Sequence, residues 1–228
     1  MRTRVAVAWV LWAILSVGAV PVLRGQSHGA DAPSSGSTLS PALRAAVDRL
    51  ADSARASGVP AEPLYLKAAE GVLKGADDDR VAAVVGRLLG ELREARRGLG
   101  ADATSTELVA GASAVHAGLD AGTLRRVRAA RPDAHAENAL VMPLVVLADL
   151  VARRVTPAIA TASVIALAER GAPDAEFASL RSVVESEIRR GQPPDVAARA
   201  RTTAILRAMP GTERAAPRGT PIDATARP

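Results

Sequence analysis

The chain has 228 residues, 48% of them hydrophobic, a formal net charge of +5 and no cysteine. That length suggests one domain with tails, and the missing cysteines exclude disulfides, thiolate chemistry, Cys-ligated zinc and a cysteine-linked lipid anchor. Aromatics make up only 2% of the chain, too few for the stacking platforms that sugar and single-strand nucleic-acid sites need.

All but two of the 29 basic residues are arginine, the exceptions being Lys67 and Lys74. Arg2, Arg4 and Arg24 fall in the first 25 residues, which hold no acid. The rest of the chain is therefore close to charge balance, and a nucleic-acid partner is not expected.

Residues 1–25 place Arg2 and Arg4 before a run without charge from Val5 to Leu23. This is the layout of a secretory signal, with cleavage expected after Gly25 or within 29–32. The alternative is an uncleaved anchor, since 5–23 is long enough to span a bilayer. Membrane association is expected only in that case. Both readings export the remainder, to the periplasm or the medium in the first and anchored at the inner membrane in the second. The Lys-poor, Ala- and Arg-rich usage suggests a bacterial source. Residues 26–38, QSHGADAPSSGST, read as a flexible linker. The C-terminal tail, 209–228, is rich in Pro and Gly and reads as disordered.

Between these lies a segment, 39–208, with helical periodicity throughout. Its apolar stripes are Leu43, Val47, Leu50 and Ala54; Val81, Val84, Val85, Leu88, Leu92 and Ala95; Leu108, Ala112, Val115 and Leu119; Phe177, Leu180, Val184 and Ile188; and Val196, Ala200, Thr203 and Leu206. Helix starts are marked by Ser40-Pro41 and Thr156-Pro157, by a Thr104/Glu107 capping box, by Asp77 and Asp120, and by Pro173-Asp174 and Pro194-Asp195. Stops are marked by arginines before Gly98, Gly171 and Gly191. The spacing predicts nine helices, over 40–57, 62–74, 78–97, 104–117, 120–130, 137–153, 157–170, 174–190 and 194–208.

One junction recurs: a glycine, then a small or apolar residue, then Pro or Asp opening the next helix. It stands at Gly58-Val59-Pro60, Gly75-Ala76-Asp77, Gly118-Leu119-Asp120 and Gly171-Ala172-Pro173. Arg154-Val155-Thr156-Pro157 repeats it without glycine. Turns this tight make consecutive helices antiparallel neighbours. The pitch is similar to that of tetratricopeptide-type arrays, without the Trp, Tyr and Phe positions of their pattern, so the likeness covers architecture alone. The segment NALVMPLVVLADLVAR, 138–153, is apolar nearly all round and belongs in the middle of the domain. The expected fold is all-α, a compact bundle of short antiparallel hairpins with solenoid-like local pitch.

No sequence motif fixes a reaction. There is no Walker loop, dinucleotide fingerprint, HExxH or nucleophile elbow. Candidate binding residues are Tyr65, Lys67, Glu70 and Lys74, the last three on one helical face, either as an anion or substrate site or as an intrahelical ion-pair ladder. Arg125, Arg126, Arg128 and Arg131 form the densest positive patch, suited to phosphate, a lipid surface or an acidic partner. Ser113, His116 and Asp120 share a face, but a catalytic triad needs its base to approach from another direction. His116 and Asp120 lack an evident third metal ligand; His135 and Glu137 are the nearby candidates. Asp77, Asp78 and Asp79 suit a helix N-terminus better than a calcium loop. No catalytic residue, metal or cofactor is therefore expected. The functional expectation is an exported, non-enzymatic helical scaffold or interaction module of a bacterial envelope, with an envelope protein as partner. The alternatives are an envelope hydrolase or lyase using the Lys67/Glu70/Lys74 face or His116, and an anion or lipid-surface binder acting through Arg125–Arg131.

Overall fold

A computed structural model of the chain describes residues 39–131 and 138–209. The leader, the linker before residue 39, the tail beyond 209, and His135 and Glu137 lie outside the described residues. Among the described residues there are nine helices and no strand: α1 Pro41–Ala56, α2 Glu62–Leu73, α3 Asp78–Leu99, α4 Ser105–His116, α5 Ala121–Ala130, α6 Val141–Ala152, α7 Pro157–Glu169, α8 Asp174–Arg189 and α9 Pro194–Ala208. None of these helices is long and apolar enough to cross a membrane.

Local chemistry sets most of the helix ends. The Ser40 side chain accepts from the Leu43 N–H, Asp77 from Arg80 and Asp120 from Thr123, each covering an N–H that the helix cannot satisfy itself. The capping box of Thr104 and Glu107 is complete. At the C-termini, Gly58, Gly75, Gly118, Gly171 and Gly191 have positive φ, and Arg154 takes the same left-handed conformation at φ 68°. After each, the next N–H reaches back to close the last turn, as Val59 does to the Ala54 carbonyl at 3.1 Å and Val155 to that of Leu150 at 3.0 Å. Of the residues that follow, Val59, Leu119, Val155 and Ala172 are buried, Ala76 is half-buried and Gln192 is exposed. The recurring junction is thus a closing contact repeated along the chain.

Tight junctions fold the helices into two rows. Helix α1 packs on α3, α3 on α5, α5 on α7 and α7 on α9. Helices α4, α6 and α8 form a second row against them, and α2 lies on α1 and α3. The packed pairs join helices one or two places apart in sequence. The domain is a compact all-α bundle. Its centre is α6, where Leu144, Val146, Leu147 and Leu150 are fully buried and which packs on α4, α5, α7 and α8.

The structure departs from the sequence expectations at four places. Helix α6 begins at Val141 instead of 137, because Asn138 sits at φ 59°, a left-handed conformation that breaks the helical path. Helix α3 runs past Gly98 and ends at Gly100, φ 83°. Gly98 instead lies where α3 crosses α5: a Cβ there would come within 2.7 Å of the Ala121 carbonyl oxygen and of Leu124 Cβ. Thr156 does not cap α7 with its own side chain; its N–H donates to Asp195 Oδ1 of α9 at 2.8 Å. In α9 the buried residues are Ala197, Ala198, Thr202 and Ile205, while Val196, Ala200 and Thr203 of the expected stripe face outward. Apolar and small residues recur at helical spacing on both faces of α9, so periodicity alone does not choose between them.

Candidate functional site

Helix α2 is held by one face only. Leu64 and Ala68 are buried, Val72 packs against the core, and Gly71 allows α3 so close that a Cβ would lie 2.7 Å from Val81 Cγ2. With that face fixed, the opposite one points out. Leu66 and Leu73, seven residues apart and so on one line of the helix, are 64% and 73% exposed. They are the two most exposed large apolar side chains among the described residues.

Beside this leucine pair runs the ion-pair ladder. Glu70 Oε2 accepts from Lys67 Nζ at 2.9 Å, and Glu70 Oε1 accepts from Lys74 Nζ. Lys74, then Lys67, holds the Glu70 carboxyl below its usual range. A carboxylate stabilised in this way is a weaker base, which is the wrong adjustment for proton abstraction. The arrangement resembles a solvated ladder, two lysines on one carboxylate, with a net charge of +1 beside the leucines. Tyr65 is not part of it: its hydroxyl turns to α1 and donates to Asp48 Oδ1 at 2.8 Å. The structure therefore brings Lys67, Glu70 and Lys74 together and sends Tyr65 elsewhere.

The four arginines of the positive patch diverge. Arg125 is exposed, and Arg126, also exposed, donates to Thr123 Oγ1 at 3.2 Å. Arg128 turns back to the Leu99 carbonyl and stands 3.7 Å from Asp102. Arg131 donates to the Ala172 carbonyl at 3.0 Å, lies 3.7 Å from Asp174, and stacks its guanidinium 5.5 Å from the centre of the Phe177 ring. Its side chain is only 8% exposed. Arg128 and Arg131 thus fasten α5 to neighbouring turns, and Arg125 and Arg126 are the two that face outward.

The Ser113, His116 and Asp120 side chains also go separate ways. The Ser113 hydroxyl donates to the Val109 carbonyl at 3.1 Å, and His116 Nδ1 lies 2.7 Å from Glu91 Oε1 on α3. Asp120 caps α5, and the Thr123 N–H holds its carboxyl below the usual range. No group of three His, Cys, Asp or Glu side chains able to hold a metal occurs among the described residues.

Sequence reasoning missed Leu66 and Leu73. The available signal was that α2 carries apolar residues on both sides: Leu64, Ala68 and Val72 at i, i+4 and i+8, and Leu66 and Leu73 across from them. A second uncovered face lies at the other end of the odd row. A groove of about 350 Å³ runs between α7 and α9, with Ile159, Ala162, Arg199 and Thr203 along it. It continues onto the outer side of α9, where Val196 is 54% exposed. The chain matches no protein-family model, no curated protein and no solved structure.

Proposed function

We propose that the chain is an exported helical interaction module of a bacterial envelope, without an enzymatic role, and that the outward face of α2 is where an envelope protein docks. The observation that carries this reading is the exposed Leu66–Leu73 pair. Covering a leucine side chain on association is favourable by about 1.5–3 kcal/mol. Lys67 and Lys74 share the single carboxylate of Glu70, so the edge beside the leucines is mostly paired and keeps one positive charge. Two exposed leucines on a rigidly held helix, with no polar group converging on them, suit helix or groove recognition better than chemistry. Export is supported by Arg2 and Arg4 ahead of the uncharged run Val5–Leu23.

Photo-crosslinking in the native cell tests the docking face. A crosslinking side chain at position 66 or 73 should trap the same envelope protein, and one at exposed Ala83 of α3 should not. Equal yields at all three positions would remove α2 as the docking face. The N-terminus of the protein recovered from the envelope tests export. A start between residues 26 and 33 fits a cleaved leader, an intact leader in the membrane fraction fits the anchor, and a cytoplasmic pool with Met1 retained refutes both.

A further inference from the structure

In the odd-numbered row each helix from α1 to α7 is covered by the helix two places on. The two ends of that row are finished differently. At the start, α1 turns Arg44, Asp48, Arg49, Asp52 and Arg55 outward, the charged end face that keeps a stack of helices from growing. At the far end, α9 turns out Val196, Ala200, Thr203 and Ala204, and the charges beside them are Arg199 and Arg207, with no acid among the lining residues. The groove between α7 and α9 extends the same apolar surface.

We infer that this α7–α9 face docks an amphipathic helix of a partner protein in the place a further row member would occupy, with acidic side chains meeting Arg199 and Arg207. Charge complementarity selects that occupant. The arginines are eight residues apart, about 12 Å along a helix axis, so acids two turns apart on the incoming helix reach both. A second copy of this chain, related by a two-fold axis through α9, brings Arg199 and Arg207 toward the same arginines of its mate, with no acid among the residues that line the outer side of α9. The chain's own continuation after Met209 does not complement the face either. Its acids, Glu213 and Asp223, are outnumbered by Arg214, Arg218 and Arg227. This inference does not depend on α2.

Two synthetic helical peptides of about 20 residues test it against the whole protein by fluorescence anisotropy. Both carry an Ala/Leu seam, one flanked by Glu and the other by Lys at the same positions. The Glu peptide should bind at least about tenfold more tightly, lose that advantage as salt rises, and lose it in the Arg199→Glu/Arg207→Glu double variant. These are exposed positions, and an unchanged circular dichroism melt confirms that the variant is folded. Leu66→Asp/Leu73→Asp should leave peptide binding unaltered, so failure of the α2 reading and failure of this one are separable. Equal affinity for the two peptides, binding of neither, or no effect of charge reversal would overturn the inference. So would a dimer in sedimentation equilibrium that Ala200→Glu dissolves, which would give the face to a second copy.

Discussion

Glu107 carries more structure than its place in a capping box suggests, and replacing it tests how the central helix is held. Its side chain is buried at 3% exposure. Oε2 accepts from the Thr104 N–H at 3.0 Å, and Oε1 crosses to α6 and accepts from the Leu140 N–H at 3.1 Å. The N-terminus of α6 has no side-chain cap of its own. Glu107→Ala therefore strands two N–H groups, one of them beside fully buried Leu140. Hydrogen bonds to a charged acceptor contribute about 1.5–3 kcal/mol each. Removing a buried carboxylate also recovers part of its desolvation cost, so the expected net loss is about 2–4 kcal/mol. The Thr104 Oγ1 bond to the Glu107 N–H at 3.2 Å is made by the backbone of residue 107 and survives. Glu107→Gln keeps the shape and one acceptor oxygen, but turns an amide N–H₂ toward one of the two donors. It should cost about 1–2 kcal/mol. Urea unfolding followed by circular dichroism measures both, and the slope with denaturant should be unchanged if only stability moves. A loss below about 0.5 kcal/mol for both variants, the range of ordinary surface changes, would refute the view that Glu107 holds α6 in place.

Other consequences can be checked in the same assay. Gly90→Ala, exposed with nothing within 4 Å of a new Cβ, should stabilise α3 by about 0.5–1 kcal/mol through helix propensity. Gly98→Ala in the same helix should instead destabilise by about 1–3 kcal/mol, because its Cβ meets the α5 backbone; matching signs for the two would contradict the close crossing. Arg154→Gly should raise stability by up to about 1 kcal/mol, since φ 68° strains any side chain with a Cβ, and a melting point that falls would point to an unrecognised role for the arginine. For Glu70, whose folded pKa is depressed, the stabilising contribution is present above the ordinary carboxyl value of 4.5 and is lost as pH falls through the lower folded value. Stability of the native chain should therefore decline more than that of Glu70→Gln on acidification below about pH 4.5, by about 0.2–0.5 kcal/mol per ion pair; parallel acid limbs would show that the ladder contributes nothing.

What the sequence made legible is what neighbouring residues decide. The helix starts at Ser40, Asp77, Thr104 and Asp120 and the left-handed stops at Gly58, Gly75, Gly118, Arg154 and Gly171 are set by bonds within a few residues. Each could be read from the order of side chains. The central position of α6 followed from its lack of a polar face. What could not be read is where a side chain reaches across the fold. Arg93 of α3 ties to Ser53 of α1 at 2.6 Å and to Ser57 just past its end at 2.9 Å, Arg131 to the α7–α8 turn, and Glu107 to the start of α6. The arginines of 125–131 therefore looked like one patch, although two of them are fasteners. The α9 stripe differs from its sequence expectation for a related reason: with small residues on both faces, only the position of α7 and α8 decides which side is inside.

The pairing of helices with those one or two places along the chain also bears on how such a protein reaches its final form. No packed pair waits for an element far downstream, so loop-closure entropy is small at every step and folding is expected to be fast and progressive. A chain delivered unfolded and N-terminus first can bury each hairpin as the next one arrives. Because it has no cysteine, it needs no thiol oxidation to finish. Of the described helices α9 arrives last, and its outer face, like that of α2, is left uncovered by the others.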